Sequence, residues 1–346
     1  MKLVTAAPPA TPVDTSMSLG YNKRLMVFSG RANPALGRAI GAELGVGLGP
    51  VSLKTFSNDE VYCRFQESIR GADVFLVQPM CSNPETGVNA NDALLELLVM
   101  VDAAVGASAH RVIAVAPWYG YSRQDKKSAP REPISARLVA RMLEAAGVDR
   151  VLTMDLHAGQ LQGFFQRPVD HMTALMMLAD HFSELGREAG EDLVVVAPDA
   201  GRVKLNKQFA TRMGAGLAIL DKERPQQQVA EIAHVIGDVR GKTAIIVDDI
   251  IDTAGTLRAA GEAVARAGAA RVFAAATHAV FSGRVYENLA ASPFERIVVT
   301  DSIPLRPGAP DNVDVVSCAP LLADSICRIF TDDSVSEAFG GKNHMF

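Results

Sequence analysis

Ile245-Ile-Val-Asp-Asp-Ile-Ile-Asp-Thr-Ala-Gly-Thr256 decides the fold. It starts as a short apolar run, passes through two acids into a turn of hydroxyl-bearing and small residues, and gives way at Leu257 to a helical pattern. A buried strand that leads through a tight turn into a helix is the unit of a parallel α/β sheet. Free backbone N–H groups at the helix start, assisted by Thr253 and Thr256, would cradle a phosphate, and Gly255 lets a ligand approach the backbone. Asp248 and Asp249 are then placed to bind the vicinal hydroxyls of a sugar. On this pattern alone, a magnesium-binding aspartate pair and an ordinary helix N-terminus stay open as competing readings.

Outward from that segment, apolar runs rich in Val and Ile alternate with longer helical stretches. Expected strands are Leu25 to Phe28, Val74 to Gln78, Arg111 to Ala116, Val151 to Met154, Leu193 to Ala197, Ala218 to Leu220, Ala244 to Val247, Val272 to Ala276 and Ile297 to Val299. The pattern runs twice: Gly106-Ala-Ser-Ala-His-Arg-Val-Ile is similar to Gly268-Ala-Ala-Arg-Val-Phe, and each leads a strand into a loop rich in potential ligands. Two similar halves meeting near residue 168 explain this. Parallel sheets bind ligands beyond the carboxyl ends of their strands, so those ends are where function is expected.

The 346 residues suffice for two domains of ordinary size. No apolar stretch approaches the ~18 residues a membrane helix needs, and a net charge of -5 argues against a surface built to coat nucleic acid. Cys63, Cys81, Cys318 and Cys327 lack a CxxC spacing, so neither a zinc knuckle nor a disulfide framework is expected and a reducing cytoplasm fits best. Residues 1–21 carry Ala, Pro and Thr with almost no charge and read as a disordered extension. Gly45-Val-Gly-Leu-Gly49 imitates a dinucleotide motif, but Pro50 and the extended pattern after it make it a turn. No P-loop sequence is present. His110, His171, His181, His234, His278 and His344 read as structural or exposed.

The Ile245–Thr256 segment resembles the phosphoribosyl pyrophosphate loop shared by phosphoribosyltransferases and ribose-phosphate pyrophosphokinases, with Ala254 where Gly or Cys is usual. Three further segments are similar to the pyrophosphokinases in particular: Thr55-Phe-Ser-Asn-Asp-Glu60 together with Trp118-Tyr-Gly-Tyr-Ser-Arg-Gln-Asp-Lys-Lys127, then Asp155-Leu-His-Ala-Gly-Gln-Leu-Gln-Gly-Phe-Phe165, and Asp221-Lys-Glu-Arg-Pro225. The resemblance covers roughly residues 22 to 339. It implies an α/β fold of two tandem phosphoribosyltransferase-like domains, each with a mainly parallel sheet flanked by helices. These would span 22–168, carrying the ATP elements, and 169–330, carrying the ribose 5-phosphate loop and a mobile catalytic loop, with a tail at 331–346 packing on the first domain.

By the same resemblance, Phe56, Asn58, Asp59, Glu60, Arg123 and Gln124 hold ATP. Phe56 is suited to stack on a purine, and Arg123 to reach phosphates. Asp248, Asp249, Asp252, Thr253, Ala254, Gly255, Thr256 and Arg224 hold ribose 5-phosphate. His157 and Asp199 serve magnesium, which prefers oxygen ligands and keeps several waters. Lys222 and Arg224 close over the transferring group. Arg202 stands where the family usually has a second Gly. The expected assembly is a homo-oligomer, a hexamer in the common class, with no nucleic-acid or membrane partner. Ala129 and Pro130 replace the Arg and Ser that class offers to a regulatory phosphate. Two alternatives are a phosphoribosyltransferase that consumes phosphoribosyl pyrophosphate and a catalytically silent regulatory paralogue.

Overall fold

The structure is a computed structural model that describes residues 23–189, 192–226 and 229–335, with the backbone alone at 185, 187–189, 222–226 and 229–233. The expected extension at 1–21 and the tail beyond 335 lie outside the described residues. The strands in chain order are β1 (Leu25–Ser29), β2 (Val51–Thr55), β3 (Val61–Phe65), β4 (Asp73–Val77), β5 (Arg111–Ala116), β6 (Arg150–Met154) and β7 (Val169–Met172). They continue as β8 (Leu193–Ala197), β9 (Gly216–Gln226), β10 (Val229–Ile236), β11 (Thr243–Ile251), β12 (Arg271–Ala279), β13 (Arg296–Thr300) and β14 (Val313–Val316). The helices are α1 (Pro34–Glu43), α2 (Ala90–Gly106), α3 (Ser135–Ala146), α4 (Leu175–Ala189), α5 (Val203–Met213), α6 (Gly255–Arg266), α7 (Val285–Ala290) and α8 (Ala319–Thr331).

Two sheets result. The first, in the order β1-β4-β5-β6-β7, is parallel throughout; the second, β10-β9-β8-β11-β12-β13-β14, is parallel except for the antiparallel edge pair β10/β9. Strands such as β4, buried at all five positions, are covered on both faces, which is why they read as unbroken apolar runs. The two halves repeat in register. Asp73 faces Arg111 as Thr243 faces Arg271, Ile113 faces Arg150 as Phe273 faces Arg296, and Val151 faces Val169 as Ile297 faces Val313. The hairpins β2/β3 and β9/β10 occupy the same place in the chain order. One leaves its sheet to stand alone and the other extends it.

The pairing of β7 with β6 places Val169–Met172 on the first sheet, a few residues past the expected division at 168. The last helix also returns to the first half. Cys318, Leu322, Ile326 and Ile329 pack with Leu36 and Ile40 of α1 over Val27, Phe75 and Val115, because this face of the first sheet would otherwise lie bare.

The halves meet along a strip that is apolar at one end and polar at the other. Ala32, Cys81, Val88, Ala93 and Trp118 of the first half pack with Ile303, Ile250 and Val280 of the second. Beside them Thr277 Oγ1 donates to Asp155 Oδ2 at 2.6 Å, and the same oxygen accepts from Ala174 N at 2.8 Å. His278, with no exposed surface, sets Nε2 3.0 Å from the Met154 carbonyl and its ring against Trp118. His171 accepts the Leu156 N–H at Nε2. Hydrogen bonds along the seam hold both rings in place, and His171 also borders the larger of the two cavities described below.

Two outcomes follow from this seam. Thr277→Val keeps the shape but strips a buried carboxylate of a donor, so the denaturant midpoint should show a loss of ~1–3 kcal/mol that Thr277→Ser does not. Burial lowers His171 to about 4 from 6.5, with Asp155 opposing and His278 adding to the effect, and burial lowers His278 as well. A lowered imidazole leaves the unfolded chain binding more protons between the two values, so stability should fall as pH drops from about 6.5 toward about 4. His171→Gln should flatten that slope in denaturation curves taken at stepped pH.

Candidate functional site

β11 outruns its neighbour. Against β8 its ladder ends at Ile246, paired with Val196, whereas against β12 it continues to Ile251. Asp248 and Asp249 therefore lie beyond β8 with an open flank on that side. The chain leaves β8 toward β9 on one side and β11 on the other, so this is the crevice where the strand order reverses, the usual ligand site of an open parallel sheet.

Past the acids the chain turns at Asp252–Ala254 and enters α6. Ala254 sits at φ 60°, the left-handed region, which costs a residue with a Cβ ~1–2 kcal/mol and suits the glycine usual there. No side chain caps the first turn of α6, so its N–H groups face the crevice unbonded to a cap. The turn is tethered from two directions. Asn288 donates to the Thr253 carbonyl at 2.8 Å, while Ser282 Oγ donates to Asp252 and Arg123, from the other half, pairs with it. A cavity of about 220 Å³ surrounds this turn, lined by Asp199, Asp248, Asp249 and residues 252–256 among others.

A second cavity of about 460 Å³ shares Arg123, His157, Arg202, Asp248 and Asp249 with the first and runs on past Lys126, Gln160 and Lys204. At the shared wall Arg202 Nη2 lies 2.6 Å from Asp249 Oδ2 and Nε lies 3.5 Å from Asp248 Oδ1. His157 Nδ1 is 2.8 Å from the same Asp249 oxygen. Burial and the charge of Asp249 push Asp248 well above the carboxylate range. Burial acts the same way on Asp249, but the His157 hydrogen bond and the Arg202 charge overcome it and hold that acid below its ordinary value. Burial opposes the charge on Arg202 too, and the two acids still raise it.

Of the residues expected from sequence, Arg123, His157, Asp199, Asp248, Asp249, Asp252, Thr253, Ala254, Gly255 and Thr256 line these two cavities. Gln124 does not; its Oε1 accepts from Ser135 at the start of α3. Phe56, Asn58, Asp59 and Glu60 form the tip of the β2/β3 hairpin and line neither cavity. There Phe56 is 42% exposed, edge-on to Tyr62, with Lys54 Nζ 4.9 Å from its ring. Lys222 and Arg224 lie on β9, and their side chains are outside the described residues. Arg202 is the central residue the sequence did not place in the site. Its only signal was an Arg directly after Pro198-Asp-Ala-Gly201, where a Gly is usual.

Among the described residues, no three His, Cys, Asp or Glu side chains form a metal cage. The donor set fits a hydrated hard cation held mainly through a ligand's own phosphates, for which one or two carboxylates suffice.

Residues 25–147 match the family described as the N-terminal domain of ribose phosphate pyrophosphokinase, and 227–340 match the phosphoribosyl synthetase-associated domain. A ribose-phosphate pyrophosphokinase of Caldanaerobacter subterraneus is 48% identical over 320 residues, 92% of this chain and 99% of that protein. The enzyme of the same name from Gloeobacter violaceus is 47% identical over 92% of this chain and 94% of its own length. The crystal structure of phosphoribosylpyrophosphate synthetase from Mycobacterium smegmatis superposes with a TM-score of 0.82 at 41% identity, covering 90% of this chain and all of that one.

The ion cluster makes a measurable demand. Asp249→Asn leaves Arg202, only 15% exposed, without its nearest charge, and unfolding in urea should register a loss of ~3–5 kcal/mol. Adding Arg202→Met to that variant should restore much of the loss, since the stranded charge goes with it.

Proposed function

The chain belongs to the ribose-phosphate pyrophosphokinase family, and from that premise we propose how its crevice carries out the reaction. The enzyme transfers the β,γ-diphosphoryl group of ATP to the 1-hydroxyl of ribose 5-phosphate, giving 5-phosphoribosyl 1-diphosphate and AMP. In the proposed arrangement Asp248 and Asp249 accept hydrogen bonds from the ribose hydroxyls. The 5-phosphate sits in the turn Asp252–Thr256 against the uncapped start of α6. The observation that carries this reading is the junction itself: two acids, an open helix start and, from the other half, Arg123 and His157 converge on cavities with common walls.

The nucleotide lies along the larger cavity with Arg123 on its phosphates, and Gln124, the next residue, turns from Ser135 to reach the same phosphates. The 1-hydroxyl oxygen attacks the β-phosphorus in line, the bond from that phosphorus to the α-phosphate oxygen breaks, AMP departs, and the hydroxyl proton passes to solvent. Lys222 and Arg224 close over the transferring group and meet the charge spread across its oxygens. His157 and Asp199, together with the nucleotide's own phosphates, whose negative charge would offset Arg202, would hold magnesium, and the ion would supply positive charge to the transferring group. Because the tip residues Phe56, Asn58, Asp59 and Glu60 line neither cavity of their own chain, we assign them to the adenine site of a second copy, within a homo-oligomer that we propose to be a hexamer.

Incubation with ATP, ribose 5-phosphate and magnesium, followed by phosphorus NMR, should show AMP and 5-phosphoribosyl 1-diphosphate formed together. Turnover that needs a nucleobase and no ATP would instead identify a phosphoribosyltransferase. Lys222→Ala should lower kcat ~10²-fold or more while ribose 5-phosphate still shifts the melting temperature. A shared adenine site predicts complementation: Phe56→Ala and Lys222→Ala proteins, each impaired, should regain part of the activity when unfolded and refolded together. If the mixture is no more active than the sum of its parts, the tip serves its own chain.

A further inference from the structure

Two adjacent acids at the open end of a strand ordinarily collect a cation, and the strand-acid-acid-turn pattern by itself leaves a metal pair open beside a sugar pair for Asp248 and Asp249. The structure has already filled the cation's place from within the chain. Arg202 Nη2 is 2.6 Å from Asp249, 3.2 Å from His157 Nδ1 and 3.4 Å from the His157 carbonyl, while Nε faces Asp248 at 3.5 Å. We infer that Arg202 is the specificity residue of this dicarboxylate, reserving it for the neutral hydroxyls of a sugar phosphate and excluding a free divalent cation.

Three observations support the assignment. The guanidinium is held from behind: its backbone N–H donates to Asp199 Oδ1 at 3.1 Å, its carbonyl accepts from Asn206 at 3.0 Å, and its side chain is 15% exposed. It therefore cannot leave cheaply. A carboxylate offers about four lone-pair positions, and Arg202 engages few of them, so hydroxyl donors can bind beside it. A divalent ion, by contrast, would bring a double charge against a fixed positive one only a few ångströms away, in a site where water screens poorly. A glycine at 202, with open space around the acids, would remove that barrier.

The inference rests on reading Asp248 and Asp249 as the sugar-binding acids, and the test separates the two claims. Manganese binding to the full-length, nucleotide-free protein is measured by electron paramagnetic resonance, and ribose 5-phosphate binding by calorimetry, for the natural protein and for Arg202→Gly, Arg202→Gln and Arg202→Lys. We expect manganese to bind at least tenfold tighter, relative to ribose 5-phosphate, in the Gly and Gln variants. Lys, which keeps the charge, should stay nearer the natural ratio. Gln serves if Gly fails to fold. The gained manganese should disappear when Asp248→Asn is added. A ratio that moves less than tenfold in both neutral variants overturns the role of Arg202. Asp248→Asn alone with undiminished ribose 5-phosphate affinity would overturn the sugar reading instead.

Discussion

The buried contact of Arg202 with Asp249 and His157 is the constraint on which the crevice depends. Two acids side by side at a strand end repel one another, and burial penalises both charges. The lowered Asp249 and raised Asp248 show how the cluster resolves this: one acid keeps its charge against Arg202 and His157, and the other carries the strain. Because His157 follows β6 of the first half while Asp249 and Arg202 belong to the second, the cluster exists only when the halves are docked. The seam of Trp118, Ile303 and Val280, with the Asp155 to Thr277 hydrogen bond beside it, supplies that docking.

Magnitudes separate this cluster from the many other ion pairs. Arg284 with Glu287 and Arg212 with Asp180 are largely exposed pairs whose attraction water screens. Their removal would hardly be felt. Arg202 and Asp249 are 15% and 8% exposed, so breaking one side leaves a charge stranded away from water. Desolvation makes the cluster costly to assemble and costlier to leave half made, which is why it is suited to fixing geometry.

How much of this was legible in sequence follows from burial. Every strand read from an unbroken apolar run is present, because strands covered on both faces carry no polar alternation to obscure them. The unread strands are the less buried ones. In β2, β3, β7, β10 and β14, polar residues such as Lys54, Arg64, Asp170, Glu231 and Asp314 interrupt the pattern, since these strands form a separate hairpin or lie at a sheet edge. The sugar-phosphate turn was readable because strand, acids, turn and helix are contiguous. Arg202 was not, because its partners lie 45 to 47 positions away in the chain and only the fold brings them together.

The repeated register explains why two similar halves make one crevice of this kind. Since Asp73 and Thr243 are matched positions, Gln78 and Pro79 stand in the first half where Asp248 and Asp249 stand in the second. Gln78 has no exposed surface: its Oε1 accepts from Ala32 N at 3.0 Å and its Nε2 donates to Glu96 at 2.9 Å, and Glu96 in turn holds Arg31. The first half therefore satisfies its own strand end from within the chain. Its hairpin is likewise free of the sheet, whereas β9 and β10 remain on theirs and create the reversal of strand order beside β11. One copy of the fold keeps the crevice, and the other, with its crevice closed by amide and carboxylate, contributes Arg123 and His157 to its partner's.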